Sequence, residues 1–483
     1  MKGAPHGPAI VWFRNDLRLK DHPALLAACE RGGPVIPVFV CSPGEEDWAP
    51  GAASRWWLHH SLSAFDRALR ALSSRLTIRA GPALPALQSL CSEAGAEAVY
   101  WSKRYEPSVA ARDAAAAETL RGQGIEVKSF PGCLLYEPGS VLTKSDKPYQ
   151  VFTPFWKACR VRSEPPRPLP SPKRIKAPRQ WPESFALREL GLPPKPDWAS
   201  GFRRVWEPGL GGAAAALNEF ASGAVTSYGE GRDRPGQKGT SRLSPHLHFG
   251  EVSPRQVWHA VRQGSKSRAL DSRSKTEADV FLRQLGWREF AHHLLFQFPQ
   301  TVDEPLRVEF ARFPWKTDAR SLRAWQRGRT GYPIVDAGMR ELWTTGWMHN
   351  RVRMIVASFL VKDLLIPWQQ GAEWFWDTLV DADLANNTLG WQWAAGCGAD
   401  AAPFFRILNP TLQGRKFDPE GGYVRRWVPE LRGLPSRWIH EPWNAPGSVL
   451  AGAGVRLGRD YPLSIVDHSE AREQALQAYR RLK

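Results

Sequence analysis

The sequence predicts an α/β half followed by an all-helical half. A doubly wound parallel sheet is predicted over residues 1–133, a linker over 134–212 and an all-α domain over 213–483. In the first third, short apolar runs rich in β-branched residues alternate with helical patterns, which is typical of a parallel sheet covered by helices. Ten prolines fall within residues 161–200 and predict an extended connection. From about Ala213, apolar residues recur with a helical period.

The individual elements follow from the same patterns, taken in chain order. Strands are predicted at 9–13, 35–40, 76–79, 98–101 and 125–130, and helices at 23–30, 54–72, 83–94 and 107–121. Asp21 is predicted to cap the first of these helices. Further helices are predicted at 277–298, 333–342, 351–365 and 372–379. The turn after the first strand lacks the GxGxxG pattern of dinucleotide-binding domains, so the sheet is either structural or holds another ligand.

Composition narrows the class of protein. The chain has 483 residues and a formal net charge of +17. Proteins this basic most often bind nucleic acid or membrane surfaces, although an arginine-rich composition alone gives the same charge. The six cysteines form no CxxC pair, which argues against zinc and iron–sulfur sites and is typical of a reducing cytoplasm. The residues at 1–10 do not have the pattern of a secretory signal, and no apolar run is long enough to predict a membrane span. A cytoplasmic protein is therefore predicted.

The stretch 343–406 is the strongest candidate for a functional site. It mixes indoles with arginines, carboxylates and an Asn-Asn pair, which suits a pocket for a large, flat, hydrogen-bonding ligand. Arg353 could pair with Asp381 or Asp383, although an isolated buried pair is more often structural than catalytic. These two aspartates lack the further oxygen ligands of a Ca²⁺ or Mg²⁺ site, so no metal is predicted.

A second candidate is the segment GTSRLS at 239–244, which places hydroxyls and backbone N–H groups ahead of an expected helix. It suits phosphate binding, although an ordinary capped helix start has the same residues. Trp287 and Trp393 could stack on a nucleobase, although a single indole is more often a core residue. No nucleophile triad, P-loop or paired-carboxylate pattern is present. The residues alone therefore indicate a basic protein with an aromatic pocket and do not identify a reaction.

Longer motifs resemble the photolyase/cryptochrome family, and within it the bacterial cyclobutane pyrimidine dimer photolyases. They are VWFRNDLRLKDHPAL at 11–25, GTSRLSP at 239–245, LGWREF at 285–290, GYPIVDAGMREL at 331–342, GWMHNRVRM at 346–354 and WQWAAGCGADAAPFFRILNP at 391–410. The resemblance covers nearly the whole chain. It implies an antenna-type α/β domain, a helical FAD-binding catalytic domain and light-driven DNA repair. It also implies a bacterial cytoplasmic protein that joins the nucleoid when bound to DNA.

The resemblance implies a noncovalent FAD. The residues that would hold its phosphates and ribose are Tyr228, Thr240, Ser241, Arg242, Leu243 and Ser244. Arg288 would flank the cofactor, and Asn350 and Arg353 would line the flavin, with Arg353 paired to Asp381. Asp383 would meet the edge of the flavin ring, and Asn387 would face flavin N5, where an amide favours the reduced states.

The resemblance also assigns electron transfer and substrate binding. Trp391, Trp368 and Trp315 match the tryptophan chain that passes electrons from the surface to photoexcited flavin. The residues that would sandwich or contact the flipped-out lesion and its phosphates are Trp287, Trp393, Asn350, Arg351, Met354 and Arg406. A damaged base pair is already weakly stacked, which lowers the cost of flipping it out. Electron transfer breaks the dimer, so no nucleophile or general base is required.

Gln284 departs from the family pattern. It stands three residues before Trp287, where the family usually has a glutamate. A neutral amide can donate a hydrogen bond to a thymine carbonyl but cannot supply a proton. Repair is expected to persist with lower efficiency. A cryptochrome-like photoreceptor that binds FAD without efficient repair is the alternative, which Gln284 favours and the retained WMHNR and WQW motifs disfavour.

The antenna chromophore and the oligomeric state are open from sequence. Glu106 matches an acidic residue that holds a folate in some family members, whereas Val302 and Asp303 stand where a lysine and a cysteine are expected. A folate, a deazaflavin or no antenna all fit the sequence. The expected partner is DNA that contains cyclobutane pyrimidine dimers, with no membrane contact, and the chain is expected to be a monomer.

Overall fold

The computed structural model describes residues 6–267, 272–400 and 405–482, with the backbone alone described at 264–267 and 272–275. The strands are β1 (Ala9–Phe13), β2 (Val35–Cys41), β3 (Thr77–Ala80), β4 (Ala98–Ser102) and β5 (Glu126–Phe130). The helices are α1 (Pro23–Glu30), α2 (Ala52–Arg70), α3 (Ala83–Ala94), α4 (Pro107–Gly122), α5 (Phe152–Arg160), α6 (Leu210–Ser222), α7 (Tyr228–Gly231), α8 (Ser244–His248), α9 (Pro254–Ser267), α10 (Ser272–Gln297), α11 (Ala319–Gln326), α12 (Pro333–Thr345), α13 (Asn350–Ser358), α14 (Trp368–Thr378), α15 (Leu384–Ala395), α16 (Pro410–Phe417), α17 (Gly422–Trp427), α18 (Gly447–Gly452) and α19 (His468–Arg480).

The chain divides into two compact units. The first unit comprises Met1–Val225 and Ser241–Pro299, and the second comprises Thr226–Thr240 and Gln300–Lys483. The first unit therefore contains the sheet together with α8, α9 and α10, and the second contains α7 and α11 to α19. The three-part division read from the sequence, with boundaries at 133 and 212, stays a prediction.

The first unit is built around a parallel sheet with strand order β3-β2-β1-β4-β5. The central strand β1 places Ile10 opposite Ile36 on one side and Val99 on the other. All five residues of β1 are fully buried, as expected for a strand covered on both faces, and this explains its unbroken apolar sequence. The predicted doubly wound α/β fold, followed by a helix-rich half, is confirmed.

The predicted cap of α1 is wrong. The capping residue is His22, whose Nδ1 accepts a hydrogen bond from the backbone N–H of Leu25 at 3.0 Å. Asp21 has a φ of 57°, and its carboxylate accepts from the backbone N–H of Leu169 at 3.0 Å and from Arg255 Nε at 3.0 Å. These partners are far away in sequence, so a local capping pattern could not reveal that the carboxylate is already used.

Helix α5 lies within the segment that the sequence predicts as linker. Its buried Phe152 stacks on Trp287 of α10 with ring centroids 3.8 Å apart, and its Phe155 contacts Phe290 of the same helix at 5.2 Å. Residues 161–200, all of which are described, contain only the short 3₁₀ turns Leu187–Leu190 and the start of Ala199–Arg204, as the prolines predict.

The second unit is helical throughout its described residues apart from turns and one isolated bridge. Helices α12 and α13 pack closely, because a Cβ on Gly338 would lie 2.4 Å from Val352 Cγ1. The helix predicted over 351–365 is α13 followed by the π-helical turn Phe359–Asp363. No helix in the described part of the chain combines the length and the apolar character that a bilayer crossing needs.

Candidate functional site

The N-terminus of α13 groups four of the predicted site residues in the second unit. His349 caps the helix, and its Nδ1 accepts from the backbone N–H of Arg351 at 3.2 Å. The Nε2 atom of this buried histidine has no hydrogen-bond partner in the structure. Burial lowers the pKa of His349 to about 4, so the ring is neutral and Nε2 carries the proton. Asn350, Arg351, Arg353 and Met354 all follow within two turns.

Arg353 and Asp381 form the ion pair that the sequence predicts. Arg353 Nη2 lies 2.8 Å and 3.0 Å from the two carboxylate oxygens of Asp381, and its Nε donates to the carbonyl oxygen of Met348 at 2.8 Å. Asp381 is 8% exposed, so the pair is shielded from bulk water and screened little by salt. The guanidinium is therefore held at a fixed position beside the start of α13.

Asp383 and Asn387 are positioned by α15. Asp383 is the N-cap of this helix, and its carboxylate accepts from the backbone N–H of Asn386 at 2.9 Å. Asn387 lies one turn further on, and its Nδ2 donates to the carbonyl oxygen of Ala372 at 3.1 Å. This hydrogen bond fixes the orientation of the amide and leaves Oδ1 as the atom that can accept from a ligand.

The three predicted electron-transfer tryptophans lie along neighbouring segments of the second unit. A Cβ on Gly371 of α14 would lie 2.1 Å from Cη2 of Trp391, so the ring of Trp391 packs against α14. Trp368 is one turn before Gly371 on the same helix. Trp315 is followed by Lys316, whose backbone N–H donates to the carbonyl oxygen of Leu365 at 2.7 Å. Trp391 and Trp368 are each 2% exposed, whereas Trp315 is half-buried, as a chain that ends near the surface requires.

The side chains of Arg351 and Trp393 in the second unit have different surroundings. Arg351 is held by Asp233, with Nη2 2.7 Å and Nε 3.1 Å from the same carboxylate oxygen. Trp393 lines a small pocket together with Lys362 and Arg406. The lesion-contact role of Arg351 stays a prediction, and the structure adds that its guanidinium already has an anionic partner.

Tyr228 and Thr240 flank a tight loop in the same unit. Tyr228 begins α7, and burial raises its pKa to about 12. The loop folds back on itself, because a Cβ on Gly239 would lie 2.3 Å from the carbonyl oxygen of Gly231. Only glycine permits the two backbone segments to approach this closely. The close contact fixes the backbone just before Thr240.

In the first unit, Ser241 to Ser244 form a turn suited to an anion. Arg242 has a φ of 52° and Leu243 has right-handed helical angles just before α8. Successive residues of opposite hand make their N–H groups converge, as in the backbone nests that bind phosphate. The guanidinium of Arg242 stacks on Trp206 at 4.3 Å. A left-handed arginine is unusual, because a side chain with a Cβ disfavours this conformation.

The other predicted residues of the first unit lie on α10. Trp287 has one ring face covered by Phe152, and Gln284 Nε2 donates to the carbonyl oxygen of Val280 at 3.2 Å. Arg288 Nη1 donates to the carbonyl oxygen of Cys133 at 2.7 Å. Each of these side chains is partly exposed. The stack on Phe152 and an edge contact with Phe290 at 5.9 Å hold the ring of Trp287 in place.

Among the buried ionisable residues that the sequence did not reveal, Glu289 and Lys362 lie next to predicted site residues. Glu289 follows Arg288 on α10, and its Oε2 accepts from the backbone N–H groups of Leu135 at 2.9 Å and Tyr136 at 3.0 Å. Lys362 is 1% exposed and lies in the π-helical turn. A charged residue inside an apolar helical stripe could have indicated these positions. The sequence alone, however, does not show which charged residues are buried.

Glu106 does not present a free carboxylate to an antenna chromophore. Arg104 Nη2 lies 2.9 Å from its Oε1, and the backbone N–H of Tyr105 donates to its Oε2 at 3.0 Å. Burial alone would raise the pKa of Glu106, but the guanidinium of Arg104 lowers it to about 2. The residue is therefore satisfied within the protein, and the structure gives no support to folate binding at this carboxylate.

Each unit offers groups of the kind that a flavin dinucleotide uses. In the first unit, the turn at Ser241 has the backbone conformation of an anion nest. In the second unit, His349 has an unpartnered buried donor and Asn387 has an oriented acceptor. Flavin dinucleotides present phosphate oxygens, ring carbonyls and ring N–H groups, which match these donors and acceptors. No group of three or more His, Cys, Asp and Glu residues that could hold a metal occurs among the described residues.

Comparisons with known proteins agree with this chemistry. Residues 9–173 match the family model for DNA photolyase, and residues 281–481 match that for the FAD binding domain of DNA photolyase. The chain is 52% identical to a deoxyribodipyrimidine photo-lyase of Agrobacterium fabrum over 99% of this chain and 98% of that protein. It is 44% identical to cryptochrome-1 of Arabidopsis thaliana, over 98% of this chain and 70% of that protein.

A solved structure shows the same fold. The crystal structure of a bacterial class III photolyase from Agrobacterium tumefaciens superposes with a TM-score of 0.95, covers 100% of this chain and 98% of that chain, and is 52% identical in sequence. The two family models cover most of the sequence motifs, whereas GTSRLSP at 239–245 lies between the two matched ranges. This chain belongs to the photolyase/cryptochrome family.

Proposed function

We propose that this chain is a light-dependent DNA repair enzyme, a deoxyribodipyrimidine photo-lyase, that binds FAD and splits cyclobutane pyrimidine dimers. The proposal rests on the set of side chains that α15 brings together. One helix, capped by Asp383, carries the oriented amide of Asn387, the buried ring of Trp391 and the pocket-lining ring of Trp393. These are a flavin contact, an electron donor and a flat surface for a base, each one turn or less from the next.

The chemistry comes from the cofactor. When bound in its reduced form and excited by blue or near-ultraviolet light, FAD would supply one electron to the dimer and take it back once both cyclobutane C–C bonds had broken, so the reaction would have no net redox change. The protein therefore needs no nucleophile and no general base. Its residues must instead hold the cofactor, orient it towards the substrate and exclude water.

We assign the cofactor contacts as follows. The turn from Ser241 to Ser244, together with Tyr228 and Thr240, binds the phosphates and ribose. Arg288, Asn350 and the paired Arg353 and Asp381 line the cofactor, and Asp383 meets the flavin edge. Asn387 Oδ1 would accept a hydrogen bond from a protonated flavin N5 and so stabilise the reduced forms, because its Nδ2 is already bound to the carbonyl oxygen of Ala372. Trp391, Trp368 and Trp315 deliver electrons from the surface to restore the reduced state.

We assign substrate binding to a second group of side chains. Trp287 and Trp393 stack on the flipped-out pyrimidines, each contact contributing ~1–3 kcal/mol. Gln284 donates to a thymine carbonyl, and the remaining contacts to the lesion and its phosphates come from Asn350, Arg351, Met354 and Arg406. The stack of Trp287 on Phe152 supports this assignment, because it fixes the orientation of a partly exposed indole ring.

The alternative function is a cryptochrome-like photoreceptor. The 44% identity to a plant cryptochrome and the amide at Gln284 favour it, because both are compatible with FAD binding without efficient repair. The deciding experiment illuminates the purified, reduced protein with an oligonucleotide that carries one thymine dimer, and measures dimer loss by chromatography. We expect loss under blue light and none in the dark. Bound FAD without any light-dependent loss would exclude the repair function and favour the photoreceptor.

A further inference from the structure

Three contacts hold the guanidinium of Arg351 at the start of α13 in the second unit. Its Nη2 and Nε lie 2.7 Å and 3.1 Å from the same carboxylate oxygen of Asp233. Its central carbon lies 4.5 Å from the ring centroid of Phe417, and Nη1 lies 3.7 Å from the sulfur of Met354. Asp233 uses two of the five N–H groups that an arginine carries. One edge and one face of the guanidinium are therefore occupied.

The ion pair of Arg351 with Asp233 can be reached from solvent. The side chain of Arg351 is 22% exposed and that of Asp233 is 34% exposed. In the neighbouring ion pair of Arg353 with Asp381, the carboxylate side chain is only 3% exposed. A nucleic acid strand can therefore contact Arg351 and Asp233 together, whereas the carboxylate of Asp381 is shielded.

The backbone keeps Asp233 beside Arg351. Asp233 follows α7, and its backbone N–H donates to the carbonyl oxygen of Glu230 at 3.1 Å. The next residue, Arg234, donates from Nη1 to the carbonyl oxygen of Lys416 at 3.3 Å. The aspartate side chain is short, so its carboxylate cannot leave Arg351 by more than a small movement unless this segment rearranges. The pairing is therefore a property of the folded second unit.

An arginine that is paired in this way responds differently to phosphates and to bases. A phosphate that approaches Arg351 also approaches the carboxylate of Asp233, and the repulsion offsets most of the attraction. Such a contact adds little to the charge-dependent binding of DNA. A carbonyl oxygen of a flipped-out pyrimidine carries no net charge, so it can accept from the unused N–H groups without this repulsion. The pair therefore favours a base over a phosphate.

We propose that Asp233 is a specificity-determining residue, which acts by positioning Arg351 and by neutralising it towards phosphates. Arg351 is thereby reserved for the lesion, and undamaged DNA gains nothing from it. Specificity of this kind comes from weakening the competing interaction rather than from strengthening the correct one. The inference rests on the proposed DNA-repair function and on the lesion contact assigned to Arg351. It adds Asp233, which is not among the site residues taken from the family motifs.

The test is the binding of damaged and undamaged DNA by Asp233→Asn in the dark. Fluorescently labelled duplexes with and without one thymine dimer are titrated over a range of salt concentrations. The variant frees Arg351 for one phosphate, so undamaged duplex should bind on the order of tenfold more tightly at about 0.1 M salt, with a slope of log K against log salt steeper by about 0.9. Binding of the dimer duplex should change little, so the preference for damage should fall by the same factor. Asp233→Glu keeps the charge and should retain most of the preference.

Two further variants show whether Asp233 acts through Arg351. Glu430→Gln is the matched control, because Glu430 pairs with Arg340 at 2.8 Å with similar exposures of 28% and 20%. It removes the same charge beside an arginine that has no assigned DNA contact, so both duplexes should bind as they do to the wild type. In the double variant of Asp233→Asn with Arg351→Gln, the tighter binding of undamaged duplex should disappear.

The opposite results are distinct from one another. If Asp233 only stabilises its segment, Asp233→Asn should lose FAD on purification, seen by flavin absorbance, and bind both duplexes more weakly. That result, or a wild-type salt slope for undamaged duplex, would overturn the inference. An equal gain in Glu430→Gln or in the double variant would overturn it too, because net charge would then explain the effect. A wild-type protein that does not distinguish the two duplexes would overturn the proposed repair function itself.

Discussion

Glu289 provides the sharpest test of the electrostatics of the first unit. It is 3% exposed, and burial raises its pKa to about 7 despite the nearby guanidinium of Arg288 and two backbone N–H donors. Its Oε1 has no hydrogen-bond partner. The substitution Glu289→Gln keeps the size of the side chain, and the amide oxygen can accept from both Leu135 and Tyr136. It removes only the ability to ionise.

The expected size of the effect follows from the two pKa values. A carboxyl group with an ordinary pKa of 4.5 when unfolded and about 7 when folded binds its proton more tightly in the folded state. Its contribution to stability is complete below pH 4.5 and is lost as the pH rises through 7. The loss amounts to about 3 kcal/mol. The glutamine variant does not ionise, so it should exceed the wild type in stability by about 3 kcal/mol at alkaline pH and by little at acidic pH.

The assay is urea unfolding followed by tryptophan fluorescence at several pH values on either side of 7. The free energy of unfolding is obtained by linear extrapolation for the wild type and for Glu289→Gln. Glu118→Gln is the matched control, because Glu118 is exposed on α4 and the same charge is removed there. Stability curves for Glu289→Gln and the wild type that run parallel across the whole pH range would refute the reasoning.

Three further predictions concern the proposed site. Gln284→Glu should increase the number of dimers split per absorbed photon, and an unchanged yield would show that this position does not limit repair. Asp381→Asn leaves Arg353 without its anionic partner, so FAD should be lost roughly tenfold more readily. Released flavin fluorescence measures that loss, with Asp377→Asn on the exposed side of α14 as the control. Trp391→Phe should abolish photoreduction of oxidised flavin, seen by absorbance, yet leave repair by chemically reduced protein intact.

The secondary structure was predictable because its signals are local. The strand at 9–13 and the helix at 83–94 were predicted with the bounds that the structure shows for β1 and α3. A buried parallel strand needs an apolar run, and a helix needs its periodic stripe, so both can be read from adjacent residues. The ion pair of Arg353 with Asp381 joins residues 28 positions apart, and the resemblance placed it correctly.

The contacts that were not predicted depend on residues far apart in the chain. The carboxylate of Asp21 is used by residues more than a hundred positions away, and Arg351 binds Asp233 across 118 positions. Helix α5 ends at Arg160, just before the proline-rich stretch 161–200, and its short helical pattern becomes clear only when its aromatic face meets α10. Burial of Lys362 is likewise a tertiary property, because the same residue on an exposed helix would be ordinary.

The central claim is that excited, reduced flavin in this chain splits pyrimidine dimers in DNA. The most direct measurement is the action spectrum of dimer loss, recorded on one preparation with the flavin first fully reduced and then fully oxidised in the absence of reductant. Repair per incident photon should follow the absorption of the reduced flavin, or of an antenna added to it, and should be absent while the flavin stays oxidised. Dimer loss that is independent of the flavin's redox state, or no loss at any wavelength with reduced flavin bound, would contradict the claim.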